Sequence, residues 1–311
     1  MKNKEKTAVL IPCYNEELTI KKVVSDCKKQ LPSADIYVYD NNSKDNTAKI
    51  ASKAGAIVIP EHNQGKGNVV RSMFRDIDAD IYVMVDGDDT YPIDEIDKLI
   101  DAVRSGADMA IGDRLSSTYY TENKRPFHNF GNDLVRWLVN TIFKTDVKDI
   151  MTGYRAFSKK FVKTISVMSP GFEIETELTI TSLHYRYNLK SVPIQYRDRP
   201  EGSSSKLNTF SDGFKVLLKL FNMAKDYRPL LFFSVISIFT FVLGLIFGIP
   251  VLYEFSHTHF VSKVPSAVLA SSLMVVTMLL ISLGLILDHQ KNIDRINHEL
   301  FINNWLNNEK K

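Results

Sequence analysis

Hydrophobic positions in the first 110 residues fall in short runs separated by stretches with helical periodicity. Ala8 to Ile11, Ile36 to Tyr39, Ala56 to Ile59, Ile81 to Val85 and Met109 to Ile111 are apolar runs rich in β-branched side chains. They are too short for helices and suit strands buried on both faces. Helical patterns fill the gaps near residues 17–30, 46–54, 66–77 and 93–104. This alternation predicts βαβ units and an α/β domain with a mostly parallel sheet and flanking helices. Beyond residue 112 the alternation weakens to a helix from about Phe130 to Phe143 and a last strand from Ser191 to Tyr196.

The pattern then changes character. Phe210, Phe214, Leu217, Leu218 and Phe221 recur at helical spacing, with Lys215, Lys219 and Lys225 off that stripe. This is a basic amphipathic helix suited to an anionic membrane surface, with packing against the preceding domain as the alternative. Leu230 to Leu252 and Val264 to Leu287 contain no charged residue, and each exceeds the roughly 20 residues needed to cross a bilayer. Two transmembrane helices are expected. Lys215, Lys219, Lys225 and Arg228 precede the first, and Lys291 and Arg295 follow the second, so both ends are expected in the cytoplasm. A polar tail from Asp288 to Lys311, with Ile293, Ile296 and Leu300 at helical spacing, is expected to form a short separate helix suited to self-association as a homo-oligomer. Four segments follow: a catalytic domain over 1–209, an amphipathic helix over 210–228, a helical hairpin over 229–288 and a cytoplasmic tail over 289–311.

Composition adds constraints. At 311 residues the chain has ample material for a core, and its net charge of +3 gives no argument for nucleic acid as a partner. Cys13 and Cys27 make no disulfide framework, which fits a reducing compartment. The basic start, Met1 to Lys6, runs directly into a strand and Pro12, without the apolar region of a signal peptide.

The candidate chemistry sits where strands end. After Ile81 to Val85 come Asp86, Gly87, Asp88 and Asp89, in the position where open α/β sheets bind ligands. Three carboxylates within four residues repel one another, and a divalent cation would neutralise them, with oxygen ligands favouring Mg²⁺ or Mn²⁺; an acidic cap for the next helix is the competing reading. Two other strands end in polar loops, Pro12-Cys13-Tyr14-Asn15-Glu16-Glu17 and Asp40-Asn41-Asn42-Ser43, and the latter also serves as turn and helix cap. Gln64-Gly65-Lys66-Gly67-Asn68 lacks the spacing of a phosphate loop, yet a helix N-terminus carrying a lysine suits an anionic substrate. Arg114, Lys124, Arg125 and His128, and the stretch Asp149 to Arg155, read equally well as solvated surface. Glu173, Glu175 and Glu177 suit the dipole of a helix start and receive no catalytic role.

Ile11-Pro12-Cys13-Tyr14-Asn15-Glu16-Glu17, Asp40-Asn41-Asn42-Ser43 with Asp45 and Thr47, Gly65-Lys66-Gly67, Asp86-Gly87-Asp88 and Thr152-Gly153-Tyr154-Arg155 occur in the order and spacing of family 2 glycosyltransferases with the GT-A fold. The resemblance covers roughly residues 7–210. The loop ending in Ser205-Lys206-Leu207, followed by an amphipathic helix and two spans, looks like the polyprenyl-phosphate glycosyltransferases, whose members include dolichol-phosphate mannose synthase and whose bacterial branch uses undecaprenyl phosphate.

This resemblance implies roles residue by residue. Pro12, Tyr14, Asn15, Glu16 and Asp40 would line the nucleotide pocket, with Asp40 accepting from a uracil N–H, and Lys66 would face the anionic donor. Asp86 and Asp88 would hold a divalent cation, Mg²⁺ or Mn²⁺, that bridges the diphosphate of a UDP-sugar. Arg114 and Arg125 would lie near the acceptor phosphate, and Arg199 and Lys206 would clamp phosphates. Asp88 and Asp149 are the candidate catalytic carboxylates, Asp149 being the nearest candidate base. An acceptor phosphate, with a second pKa of about 6, needs no strong base. The implied product is an inverted sugar phosphate lipid made at the cytoplasmic face of the cell membrane, with glucose or N-acetylglucosamine as the leading sugars. One departure is that Asp-Asn-Asn-Ser stands where many relatives have Asp-Asp-Gly-Ser. The rival readings are a processive polysaccharide synthase, which would need a Q-x-x-R-W motif that Asp133 to Trp137 does not supply, and an inactive nucleotide-sugar-binding membrane adaptor.

Overall fold

The structure, a computed structural model, describes residues 5–116, 126–200 and 209–309. The backbone divides into two compact units, one of residues 1–220 with 301–311 and one of residues 221–300. These boundaries fall inside two helices, so they differ from the four consecutive segments expected from composition.

In the first unit, β1 (Thr7–Cys13), α1 (Ile20–Gln30), β2 (Asp35–Asp40), α2 (Thr47–Lys53), β3 (Ile57–Pro60), α3 (Lys66–Asp76) and β4 (Ile81–Met84) alternate as expected. Then come a short 3-10 turn (Ile93–Glu95), α4 (Ile96–Arg104), β5 (Met109–Asp113) and α5 (Pro126–Phe143). β6 (Arg155–Ser158), α6 (Lys159–Thr164), α7 (Ile174–His184) and β7 (Leu189–Pro193) complete the sheet and its cover. The seven strands lie in the order β3-β2-β1-β4-β6-β5-β7. All pairings are parallel except those of β6, which runs antiparallel between β4 and β5.

Central strands are buried on both faces: Ala8 to Ile11, Tyr82 to Met84 and Met109 to Ile111 are all fully buried. That explains why they read as continuous apolar runs and not as alternating ones. Strand β6 was not anticipated, because four residues of sequence Arg-Ala-Phe-Ser carry no periodic signal and only wedging between two buried neighbours makes them a strand. The last strand lies two to three residues earlier than its apolar pattern suggested, at Leu189–Pro193.

α8 (Thr209–Tyr227) is the expected amphipathic helix, and it carries two apolar faces. Val216 and Leu220 are buried, and Lys219 pairs with Glu177 of α7 at 3.1 Å. Phe214, Leu217 and Leu218, members of the stripe seen in the sequence, are exposed. Their stripe therefore is not the face that covers the first unit.

The second unit holds all of α9 (Pro229–Thr258) and most of α10 (Val264–Glu309). Both are long and apolar enough to cross a membrane. They meet through small residues: a Cβ on Gly244 would lie 3.0 Å from Met274, and Thr240 and Thr277 share a hydrogen bond of 2.8 Å. Close approach through glycine and a polar pair is how helices associate where the surroundings are as apolar as their side chains. The tail does not form a separate helix. α10 continues unbroken to Glu309, since no Gly or Pro interrupts residues 288–309, and Lys159 of α6 pairs with Glu309 at 3.0 Å.

Candidate active site

The carboxyl ends of β1, β2 and β4 are adjacent in the sheet, and their loops converge. The first two loops are tied together by their own side chains. Asn15, held at φ 54°, accepts from the Lys44 amide at 2.7 Å, and its own amide donates to Ser43 Oγ at 2.9 Å. Glu17 accepts from the backbone and side chain of Asn46, and the Glu16 amide donates to Thr47 Oγ1 at 2.8 Å. Asn15 and Glu17 thus shape the rim, while Pro12 lies in β1 in register with Tyr39 of β2 and Tyr14 is half-buried beyond it. Asp40, at the end of β2, accepts from the Ser43 amide through Oδ2 at 3.2 Å. Its Oδ1 is buried with no partner among the described residues, an acceptor position of the kind that a ligand N–H satisfies.

Asn41 explains the departure in the second motif. Its side-chain NH₂ donates to the carbonyls of Glu61 at 2.9 Å and Asn63 at 2.8 Å, and its Oδ1 accepts from the Gly65 amide at 2.7 Å and from Gln64 Nε2 at 3.2 Å. A carboxylate in this place could not donate and would face two carbonyl oxygens. Asn41 therefore fixes the loop that leads into α3.

The N-terminus of α3 is not an open anion site. Gly67 N and Asn68 N both donate to the Pro170 carbonyl, at 2.9 and 3.3 Å. The approach is so close that a Cβ on Gly67 would sit 1.9 Å from the Ser169 carbonyl oxygen, which is why glycine is required there. Lys66 instead extends to two carboxylates, Asp86 at 2.5 Å and Glu175 at 2.6 Å. Burial lowers the affinity of this ammonium for its proton, but the two carboxylates outweigh it and raise the pKa.

The acidic loop holds three different carboxylates. Asp86 faces Lys66, and it lies so close to Gly153 of the Thr-Gly-Tyr-Arg motif that a Cβ there would be 2.5 Å from its Oδ2. Asp88 accepts from Thr90 Oγ1 at 2.7 Å and pairs with Arg199 at 2.5 Å. Burial and the neighbouring Asp86 raise its pKa, against Arg199. Asp89, at φ 60°, turns away to pair with Lys22 of α1 at 2.6 Å and belongs to the turn. Asp86 and Asp88 thus each hold a protein cation and offer hard oxygen donors, the set that suits Mg²⁺ or Mn²⁺. Among the described residues no group of three or more His, Cys, Asp or Glu side chains forms a closed cage, so this pair would leave most of an ion's coordination to other ligands.

Asp149 must be reassigned. It is fully buried and accepts from Arg114 twice, at 2.7 and 3.1 Å, from the Arg114 amide at 3.3 Å and from the Met151 amide at 3.2 Å. A carboxylate with both oxygens engaged by a guanidinium and two amides is a structural anchor and does not suit a proton acceptor. Arg114, in turn, is oriented by this pair and lies 5.9 Å from the ring centroids of Tyr91 and Tyr196. Arg125 and Lys206 lie outside the described residues.

Three residues given no role from the sequence, Arg155, Glu175 and Glu177, belong to this assembly. Arg155 is fully buried and donates to the carbonyls of Thr152, Ile150 and Glu175 and to Thr179 Oγ1, joining the loop of Asp149 to the start of α7. Its burial lowers its pKa to about 10. Glu175 and Glu177 are buried, whereas a helix dipole alone would leave them in water. A signal existed: α7 contains no lysine or arginine to pair with its acids, so once the helix is covered they must find partners elsewhere.

Comparisons with known proteins bear on the family and the fold. The model for glycosyl transferase family 2 matches residues 8–166, and the chain belongs to that family. Glycosyltransferase AglJ of Haloferax volcanii is 33% identical, over 82% of this chain and 84% of its own length. A dolichyl-phosphate hexose transferase of the same organism is 32% identical over 66% of this chain and 88% of its own length. Among solved structures, glucosyl-3-phosphoglycerate synthase of Mycobacterium tuberculosis, in complex with Mn²⁺, UDP-glucose and phosphoglyceric acid, superposes with a TM-score of 0.61 at 19% identity, covering 72% of this chain and 81% of that one. The fold is GT-A, and the protein is a glycosyltransferase.

Proposed function

We propose that this protein transfers a hexose from a UDP-sugar to a polyprenyl phosphate, undecaprenyl phosphate in a bacterial cell, at the cytoplasmic face of the membrane. The observation that carries this reading is one chain with two parts. Asp86 and Asp88 stand beside the orphaned Asp40 Oδ1 loop at one sheet edge, and two apolar helices follow in the same polypeptide.

Asp40 Oδ1 is the acceptor for a uracil N3–H, with Pro12, Tyr14 and Glu16 around the nucleotide. Asp86 and Asp88 would hold Mg²⁺ or Mn²⁺, which when bound supplies charge stabilisation for the departing diphosphate. Arg199, which pairs with Asp88, would bind phosphate oxygens with its planar fork, with Lys206 as its companion in the clamp. Arg114, held in one orientation by Asp149, and Arg125 are the candidates for the acceptor phosphate. No protein base is required, because that phosphate is largely ionised at neutral pH. Attack by its oxygen on the anomeric carbon, opposite the diphosphate, inverts the configuration. Glucose and N-acetylglucosamine are the leading sugars.

The excess of lysine and arginine at the polar ends around the two helices supports a cytoplasmic catalytic unit and cytoplasmic termini. The exposed Phe214, Leu217 and Leu218 of α8 suit the bilayer surface. Purified protein with Mn²⁺ or Mg²⁺, undecaprenyl phosphate and a panel of nucleotide sugars tests the reading. Mass spectrometry should find one sugar joined to the lipid through a single phosphate, and no glycolipid from any donor would refute it.

A further inference from the structure

Lys66 sits between two carboxylates, of which only Asp86 belongs to the pair assigned to a metal. Its Nζ lies 2.5 Å from Asp86 Oδ1 and 2.6 Å from Glu175 Oε1, and its side chain is only a tenth exposed. A divalent ion arriving at Asp86 therefore competes with an ammonium already in contact. If Asp86 turned to the ion and Lys66 had no other partner, a buried charge would be left uncompensated, and that is strongly unfavourable.

Glu175 is placed to prevent this, and the backbone holds it there. Its carbonyl receives Arg155 Nη2 at 3.0 Å, while the same guanidinium holds Ile150 O and Thr179 Oγ1. The backbone of Lys66 is fixed against the same region, since Gly67 N and Asn68 N bond to Pro170 O just ahead of α7. Lysine stem and glutamate thus remain together whatever Asp86 does. No lysine or arginine on α7 competes for Glu175, and its only ion pair among the described residues is with Lys66.

We propose that Glu175 is a positioning residue for metal binding: it retains Lys66 as a permanent counter-ion, so that Asp86 can exchange the ammonium for a divalent cation. This rests on the reading of Asp86 and Asp88 as the metal pair. Glu175 acts through Lys66, with which it pairs at 2.6 Å. The motif Gly65-Lys66-Gly67 and the start of α7 then form one device, in which glycine lets the helices approach and the ion pair sets the charge at Asp86.

The test uses the purified full-length chain and Mn²⁺ alone, with free Mn²⁺ read by electron paramagnetic resonance. E175Q should weaken Mn²⁺ binding roughly tenfold or more, because Lys66 then has Asp86 alone. K66M should bind Mn²⁺ more tightly than wild type, having lost the competitor. In the K66M background, E175Q should produce no further weakening, so the two effects are coupled and not additive. Equal Mn²⁺ affinity in wild type and E175Q, or an equal effect of E175Q with and without Lys66, overturns the proposal and leaves the metal reading intact. If E175Q does not fold, K66M decides alone: Mn²⁺ affinity at or below that of wild type overturns it. Absence of Mn²⁺ binding in the wild type overturns the metal reading and this proposal together.

Discussion

Leu18 in the first unit and Phe239 in the second are almost equally exposed, at 64% and 65% of their surface, yet they stand in opposite surroundings. In the unit that carries Leu18 the sheet has buried its apolar residues, so that Val9, Val83 and Ile111 have no accessible surface. In the unit that carries Phe239 many apolar residues are turned outward, with Val235, Ile238, Leu252 and Met278 more than half exposed. The first unit satisfies its hydrophobic residues within itself. The second does so only if something apolar surrounds it, and an isolated exposed leucine on a soluble surface needs no such explanation. The polar chemistry divides in the same way, for every carboxylate of the site belongs to the first unit, whereas the second pairs Thr240 with Thr277 between its two helices.

The largest effect should come from the polar side of this contrast. Asp88→Ala is expected to lower glycolipid formation by about 10³-fold or more while thermal unfolding of the first unit stays close to wild type. Retained turnover would remove the metal pair from the mechanism. Next, Phe239→Arg should cost about 3 kcal/mol of membrane insertion, read as loss from the membrane fraction, whereas Leu18→Arg should change stability by less than about 0.5 kcal/mol. If the two were equally harmless, the contrast between the units would collapse. Gly67→Ala should destabilise the first unit by about 1–3 kcal/mol in denaturant unfolding, because its Cβ would meet the Ser169 carbonyl. The smallest change is Thr240→Val, which removes the hydrogen bond to Thr277 and should loosen the hairpin by about 0.6 kcal/mol in a helix-association assay.

Much of this was legible before folding. Five strands ahead of residue 114, the helices between them and both apolar helices follow from period and length, because those signals are local. The acidic loop was legible too, since carboxylates at the end of a buried strand stand out against their neighbours. What escaped was whatever depends on the partner. Asp149 looked like a free carboxylate and is spent on Arg114; the N-terminus of α3 looked like an anion site and is spent on Pro170. Glu175 looked like a surface acid on a helix start and is buried against Lys66, more than 100 positions away.

By itself the sequence determined the α/β alternation, the apolar hairpin and the ordered motifs of a family 2 glycosyltransferase, because periodicity and spacing are properties of neighbouring residues. Tertiary structure alone decided which carboxylates remain available for chemistry. The free energy of a buried charge depends on the counter-charge that meets it, and Lys66, Arg114 and Arg199 are brought to Asp86, Asp149 and Asp88 only by closing the sheet.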